Sequence, residues 1–202
     1  MSFALILLLC LLAPVASAQT PDAANRAMKL AHHRVVAAKF VQIRHLAELD
    51  MDVSSRGSMV SELDDRLRWQ VDSPVKSVTL IDREKLTHYD VSTDTVAVIE
   101  QEKFPWLKLL RDALDDWLSG DPERLAKRFE VTFPKPRTLH LVPRDAGLKK
   151  LCPGVDITIA PDGNAISLIR ITEDGGDTLE LRFSEVVNDP ELPPDIWRMP
   201  PR

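Results

Sequence analysis

Short segments in which polar and apolar residues alternate repeat along most of this chain, and turn-forming residues separate them. In the clearest segment, residues 66–74, the apolar residues Leu67, Trp69 and Val71 occupy every second position. Successive side chains of a strand point to opposite faces, so these three residues share one buried face. Pro74 cannot donate a hydrogen bond to a neighbouring strand and ends the segment. Many short strands with brief connections predict an antiparallel sheet.

The predicted strands form two groups, one on each side of a single helical interruption. The sequence SSRG at 54–57 predicts a turn between a long first strand, which begins near Arg34, and the second strand. In the final strand, Leu179, Leu181 and Phe183 alternate with polar residues and share a face. After the first strand, the predicted strands are 57–63, 66–71, 77–81, 85–91, 95–101, 129–133, 138–143, 155–160, 165–173 and 178–186.

The interruption lies between residues 104 and 128 and has helical spacing. Its large apolar residues recur at steps of three and four and form one stripe: Leu107, Leu110, Leu114 and Trp117. Gly120 ends this helix, and the sequence DPE at 121–123 begins a short second one. Residues 21–33 have the composition of a further helix. The chain therefore predicts a mainly β, α+β fold: one large curved antiparallel sheet with helices at its start and in its middle.

The amino end carries the pattern of an export signal. Residues 3–15 are almost entirely apolar, a run shorter than the ~20 residues that span a bilayer, and the sequence ASA at 16–18 supplies small residues for cleavage. A lipoprotein signal at Cys10 is the alternative, but no small residue precedes that cysteine. We therefore predict a signal peptide over residues 1–18 and one mature domain over residues 19–202.

Charge and cysteine content limit the partners and cross-links of the chain. Charged residues make up 28% of the sequence and the formal net charge is −5, which argues against nucleic acid or an anionic membrane surface as a partner. Once Cys10 is removed with the signal, Cys152 is the only cysteine, so no intramolecular disulfide can form. We predict that Cys152 is a buried structural thiol.

The sequence offers no pattern typical of an enzyme or a metal site. His32 and His33 are adjacent, and adjacent residues on a helix do not face the same way. The patterns G-x-S-x-G, H-E-x-x-H, G-x-G-x-x-G and the P-loop are all missing. We expect Asp115 and Asp116 to be solvent-exposed on the outer side of a helix. No catalytic residue, metal ligand or cofactor is predicted, and a hydrolase with scattered carboxylates is an alternative without a supporting motif.

The order of several short motifs resembles a known family. After a leading helix, the motifs are Phe40-Val41-Gln42-x-Arg44, Ser54-Ser55-x-Gly57, Leu67-x-Trp69 before Pro74, a pair of helices, and Gly176-Asp177-Thr178-x-x-x-x-Phe183. This order resembles the LolA family of periplasmic outer-membrane lipoprotein carriers and their LolA-like relatives. The resemblance extends over nearly all of the predicted mature chain.

The resemblance implies a fold similar to an incomplete β-barrel whose concave apolar face is covered by helices. It also implies a periplasmic carrier, and not an enzyme, that shields the acyl chains of a lipoprotein and moves it from the inner to the outer membrane. The donor would be an inner-membrane export complex and the acceptor would lie at the outer membrane. We expect a monomer.

The predicted lipid-binding residues come from two strands and one helix. The resemblance places Leu67 and Trp69 on the concave face, and we predict that the apolar faces of all three elements converge on one space. The full set is Leu67, Trp69, Val71, Leu107, Leu110, Leu114, Trp117, Leu179, Leu181 and Phe183.

One position departs from the family pattern. Lipoprotein carriers of the γ-proteobacterial type have an arginine six residues before the motif tryptophan, and it helps to latch the helices over the cavity. Here that position is Leu63, preceded by Glu62, and Arg66 has the parity of the outer face. Two alternatives therefore stay open: carriage of another amphiphile, such as a glycolipid, and a lipid-sensing module, which would need an attached signalling or anchoring domain.

Overall fold

The computed structural model describes residues 33–103, 112–113, 115–116, 122–173 and 175–200. The strands are β1 (Val35–Leu46), β2 (Met51–Glu62), β3 (Arg66–Ser73), β4 (Ser77–Ile81), β5 (Lys85–Asp90), β6 (Thr95–Glu100), β7 (Phe129–Lys135), β8 (Thr138–Pro143), β9 (Gly154–Ile159), β10 (Ile166–Thr172) and β11 (Thr178–Asn188). The helical elements are a 3-10 turn at Ala47–Leu49, α1 (Pro122–Arg128) and α2 (Ala146–Leu151). Residues 112, 113, 115 and 116 are also helical.

All eleven described strands form one antiparallel sheet in the order β6-β5-β4-β3-β2-β1-β11-β10-β9-β8-β7. Each strand pairs with its neighbour in sequence, except that β1 pairs with β11 in the middle of the sheet and β6 does not pair with β7. β6 and β7 are therefore the two edges, and the sheet is not closed. The predicted fold class, mainly β with one incompletely closed antiparallel sheet, is confirmed.

The turn predicted at residues 54–57 is wrong. β1 and β2 pair along their whole length, and the chain reverses at residues 47–50. Asp50 has a left-handed conformation there, with φ 46°, which aspartate adopts more readily than most residues. Ser54 and Ser55 are strand residues opposite β1, because pairing along a long neighbour outweighs their local preference for turns.

Of the two described α-helices, the sequence patterns predict α1 and do not predict α2. α1 begins at Pro122, as the sequence DPE predicts. α2 is not predicted by the patterns, although Asp145 caps it by accepting a hydrogen bond of 2.8 Å from the backbone N–H of Leu148. The predicted signal peptide and almost all of the predicted first helix lie outside the described residues. None of the described helices is long and apolar enough to cross a membrane.

Most of the buried apolar residues form two clusters on one face of the sheet. The first cluster lies on β7–β11, α1 and α2 and includes Phe129, Leu141 and Val155. The second cluster lies on β1–β4 and consists of Ala38, Phe40, Met59, Leu67 and Ile81. Trp69 and Phe183 pack against both clusters, so strands from both sides of the sheet meet at these two side chains. This shared face is the concave face.

The opposite, convex face of β3 carries the end of the chain. Arg68 donates two hydrogen bonds of 3.0 Å to the backbone carbonyls of Ile196 and Arg198. The guanidinium of Arg66 lies 4.4 Å from the centre of the Trp197 ring, within the range of a cation–π contact. Arg66 thus lies on the outer face, as its parity predicts.

Candidate functional site

A cavity of about 200 Å³ opens on the concave face, between β2–β4 on one side and β10–β11 on the other. Its described lining is apolar except for the Thr79 hydroxyl and the Trp69 indole N–H, and its residues are Met59, Leu67, Trp69, Thr79, Ile81, Ile169, Leu181 and Phe183. Four residues of the predicted lipid-binding set therefore meet here: Leu67, Trp69, Leu181 and Phe183. Concave apolar spaces with few polar groups are typical of sites for small apolar ligands.

Gly57 allows Trp69 to take its position. Phe40 on β1 and Trp69 on β3 stack across β2, with ring centres 3.9 Å apart and ring planes at 24°. Gly57 lies on β2 opposite Phe40, and a Cβ atom there would come within 1.8 Å of the carbonyl oxygen of Gln70 and 3.0 Å of the Phe40 ring. Any side chain at this position would displace the β3 backbone and disturb the stack, so glycine is required.

Cross-strand pairs build the two walls of the cavity. The pairs are Leu67–Ile81, Trp69–Thr79 and Ile169–Leu181. Phe183 lies opposite Phe40 on β1 and connects the β11 wall to the aromatic stack. Leu67 and Leu181 are each only 7% exposed, so both walls are well shielded from solvent.

Two predicted residues share the concave face but do not line the cavity. Val71 lies opposite Gly57 and packs against the second cluster. Leu179 lies opposite Arg44 of β1 and Ile171 of β10. Strand parity thus places both on the correct face, and their walls continue beyond the cavity itself.

Thr79 is the polar residue of the described lining. Its Oγ1 atom lies 2.8 Å from Nδ1 of His88, the residue opposite it on β5. A histidine ring nitrogen either donates or accepts according to the tautomer, and a hydroxyl can do both. The Thr79 hydroxyl therefore has one hydrogen bond to His88 and further capacity toward the cavity.

Carboxylates are buried where the helical residues near position 112 meet α1. Arg128 lies 2.8 Å from Asp116 and 3.2 Å from Asp112, and Arg124 lies 3.1 Å from Asp116. Asp116 is only 2% exposed, and burial raises the pKa of its carboxyl despite the two nearby arginines. The expectation that Asp115 and Asp116 are solvent-exposed is wrong, since both are buried. The arginines of α1 supply the paired charges that make burial possible.

Comparison with known proteins identifies the family. The family model described as outer membrane lipoprotein carrier protein LolA matches residues 31–199. The chain belongs to the LolA family. An outer-membrane lipoprotein carrier protein of Alkalilimnicola ehrlichii is 28% identical over 215 residues, which cover 100% of this chain and 91% of the relative. Another, from Legionella pneumophila strain Paris, is 25% identical over 174 residues, which cover 86% of this chain and 82% of the relative.

The solved structure of a protein that is not named as a lipoprotein carrier has a similar fold. An uncharacterized conserved protein from Thermus thermophilus has a TM-score of 0.50 and 12% sequence identity, covering 90% of this chain and 94% of that protein. At this identity the likeness supports the architecture of the LolA-family chain and says nothing of its ligand.

An arginine contacts the β2–β3 turn of this LolA-family chain, but it belongs to helix α1 and not to the turn itself. Leu63 lies in that turn, at the position where the resemblance expects arginine. The next residue, Asp64, accepts two hydrogen bonds of 2.7 and 2.9 Å from the guanidinium of Arg124 on α1. Because Arg124 also contacts Asp116, one side chain ties the helical residues to the turn.

The predicted helical part of the site is not part of the structural description. Leu107, Leu110, Leu114 and Trp117 lie outside the described residues. Their contribution to the cavity stays a prediction.

The sequence patterns do not single out four of the lining residues. Thr79 and Ile81 could be found from the β3–β4 hairpin, because strand pairing puts them opposite Trp69 and Leu67. Met59 lies opposite Trp69 and Ile169 lies opposite Leu181, so the same reasoning finds them once the pairing of β2 with β3 and of β10 with β11 is known.

The remaining chemistry of the described residues is sparse. No group of three His, Cys, Asp or Glu residues in the described ranges is arranged to hold a metal ion. Cys152 is buried, and burial raises the pKa of its thiol to about 11. Because the thiolate is the reactive form, this environment agrees with the predicted structural role.

Proposed function

We propose that this LolA-family chain is a periplasmic carrier that shields acyl chains of a lipoprotein in the concave cavity and moves the lipoprotein from the inner to the outer membrane. The observation that carries the proposal is the apolar cavity of about 200 Å³ between the two halves of the sheet. The predicted signal peptide, an inner-membrane export complex as donor, an outer-membrane acceptor and a monomeric state belong to the same proposal.

The energetics of the cavity suit reversible carriage. Each buried methylene contributes ~0.8 kcal/mol, so a segment of about six carbons gains roughly 5 kcal/mol before the cost of ordering the chain. A gain of this size holds an acyl segment and still allows its release to an acceptor. The apolar surface of the cargo would otherwise be exposed to water between two membranes.

The test must separate a binding cavity from a loosely packed core. A larger side chain beside an empty space fills that space, whereas a larger side chain in a packed core costs ~1 to 3 kcal/mol. We expect Leu67→Trp to keep the wild-type urea midpoint and to lose most of its uptake of a fluorescent fatty acid. Leu139→Trp, in the tightly packed first cluster, is the matched control and should lower the midpoint. The proposal fails if the wild-type protein takes up neither the fluorescent fatty acid nor an acylated peptide.

A second candidate cargo is an amphiphile with a single chain, such as a glycolipid. The cavity volume favours it, because an engineered apolar cavity of ~150 Å³ holds one benzene molecule. A cavity of about 200 Å³ therefore holds a segment of one chain more readily than several chains. Native mass spectrometry of protein purified from the periplasm would separate the two cargoes: a bound lipoprotein supports the first, and a bound glycolipid supports the second.

A further inference from the structure

We propose that Trp69 and Thr79 form a subsite for the carbonyl oxygen of an acyl ester or amide inside the cavity. This inference rests on the proposed function, since it names the part of the cargo that the cavity recognises. It assigns hydrogen-bonding roles to two residues whose apolar neighbours provide only non-directional contacts.

The two residues are placed so that one ligand atom can contact both. Trp69 of β3 and Thr79 of β4 lie directly opposite each other and both line the cavity. Opposed residues of an antiparallel pair have Cβ atoms ~4.5 to 5.5 Å apart on the same face. Both side chains therefore start from adjacent points of the same cavity wall, within reach of the same end of a ligand.

His88 leaves the Thr79 hydroxyl able to donate. In the tautomer with its proton on Nδ1, His88 donates to Thr79 Oγ1 across 2.8 Å, and the hydroxyl hydrogen is then free to turn toward the cavity. The histidine comes from β5 and lies on the same face of the sheet as Thr79. It therefore orients Thr79 without being part of the described cavity lining.

Trp69 supplies the second donor. Within the described chain, its indole N–H donates to no acceptor, although a tryptophan N–H at a largely apolar site usually finds one. Stacking on Phe40 fixes the plane of the indole ring. A carbonyl oxygen has two lone pairs and can accept from the indole N–H and from the hydroxyl together.

The rest of the lining gives the ligand a direction. Ile169 and Leu181 lie on the opposite wall and have no polar side-chain atoms, so the hydrocarbon tail extends toward β10 and β11. The subsite therefore favours chains attached through a carbonyl group over ether-linked chains and plain hydrocarbons.

Two soluble, uncharged probes with the same chain length test this preference. Sucrose monododecanoate carries an ester carbonyl, whereas dodecyl maltoside is joined by a glycosidic acetal oxygen and has no carbonyl, and both have a disaccharide head. Calorimetric titration below the micelle concentrations should show that the wild-type protein binds the ester about ten- to a hundredfold more tightly, as expected for two additional hydrogen bonds. Thr79→Val should lower this preference about three- to tenfold, because one of the two hydrogen bonds is lost, and Thr79→Ser should restore it.

The control is Thr87→Val, the same replacement on the opposite face of β5, which should keep the wild-type ratio. Binding of both probes with equal affinity by the wild-type protein, or an unchanged preference in a folded Thr79→Val variant, overturns the subsite and leaves carriage standing. If the wild-type protein binds neither probe, carriage of acyl chains fails and the subsite fails with it. A reduced preference in Thr79→Val, but not in Thr87→Val, supports the assignment.

Discussion

The two halves of the sheet, on either side of the β1–β11 pair, are packed very differently. In β7–β10, residues such as Phe129, Leu141 and Val155 are completely buried against α1 and α2. In β2–β6, the concave face borders the cavity, and the edge strand β6 exposes nearly all of its residues, with Val98 55% exposed. The β7–β10 half, the packed half, therefore supplies most of the packing that stabilises the fold. The β2–β6 half, the open half, borders the space that the proposed ligand would occupy.

The largest expected effect comes from truncating one leucine in each half. Leu141→Ala removes a completely buried side chain and should cost ~2 to 5 kcal/mol of unfolding free energy. Leu67→Ala should cost about 1 kcal/mol, because a side chain beside a cavity loses fewer contacts. Urea unfolding of both variants measures the difference, and equal losses would contradict the division of the sheet into a packed half and an open half.

Replacement of Gly57 tests whether the backbone and the aromatic stack of the open half are tightly packed although they border a cavity. Gly57→Ala places a Cβ against the Gln70 carbonyl and the Phe40 ring, so we expect a loss of ~1 to 3 kcal/mol. The near-ultraviolet circular dichroism of the Phe40–Trp69 stack should also change.

The control for this substitution is Gly163→Ala in the β9–β10 turn. Gly163 has φ 78° and open space around its missing Cβ, so alanine there strains the backbone without touching an aromatic ring. Its near-ultraviolet spectrum should match that of the wild-type protein. An unchanged spectrum in Gly57→Ala would show that the stack does not depend on glycine.

Arg124 joins the helical residues of the packed half to the β2–β3 turn of the open half. Arg124→Met removes its contacts with Asp64 and Asp116 and should cost about 1 kcal/mol, as the pair with Asp64 is partly exposed to solvent. It should also raise the pKa of Asp116 further, because one of the two arginines that oppose the effect of burial is lost. Urea unfolding and carboxylate titration by NMR measure both effects, with Arg83→Met as a more exposed control.

The smallest expected effect concerns two buried glutamates, Glu62 on β2 of the open half and Glu180 on β11 beside the packed half. Hydrogen bonds from Arg170 and then Arg182 lower the pKa of Glu180 below its ordinary 4.5. Burial raises the pKa of Glu62, but its arginine partners outweigh burial and the net shift is also downward. A lowered pKa stabilises the folded state at neutral pH, and this stabilisation is lost as the pH falls through the folded-state value, below 4.5.

Glutamine at position 180 should therefore reduce the acid-induced loss of stability by about 0.5 kcal/mol. At Glu62 burial outweighs each single arginine contact, whereas at Glu180 the Arg170 hydrogen bond is the largest effect, so Glu62→Gln should change the acid response less. Urea midpoints at neutral and acidic pH measure the acid-induced loss of stability in the wild-type protein and in both variants. A larger change in Glu62→Gln than in Glu180→Gln would contradict this prediction.

Local periodicity predicts much of this structure because the faces of a strand are set by neighbouring residues. Alternation alone puts Leu67 and Trp69 on one face of β3 and Leu181 and Phe183 on one face of β11, and the cavity brings these two faces together. The family resemblance adds the curvature that lets two distant strands meet.

The features that the sequence does not reveal depend on distant partners. The turn at 54–57 is absent because β1 pairs with that stretch across a hairpin. Burial of Asp116 depends on Arg124 and Arg128, which approach only when α1 packs beside it. Thr79 has an ordinary strand pattern, and its hydrogen bond to His88 appears only with the β4–β5 register.

The free edges at β6 and β7 have a mechanical consequence for loading and release. Since the two edge strands share no backbone hydrogen bonds with each other, the sheet can splay between them while all of its strand ladders stay intact. A closed ring of strands would have to break such a ladder before a bulky ligand could enter from the side. Among the described residues, opening of this sheet needs bending of the strands and the separation of side-chain contacts such as the Arg124–Asp64 ion pair, and it breaks no ladder of backbone hydrogen bonds.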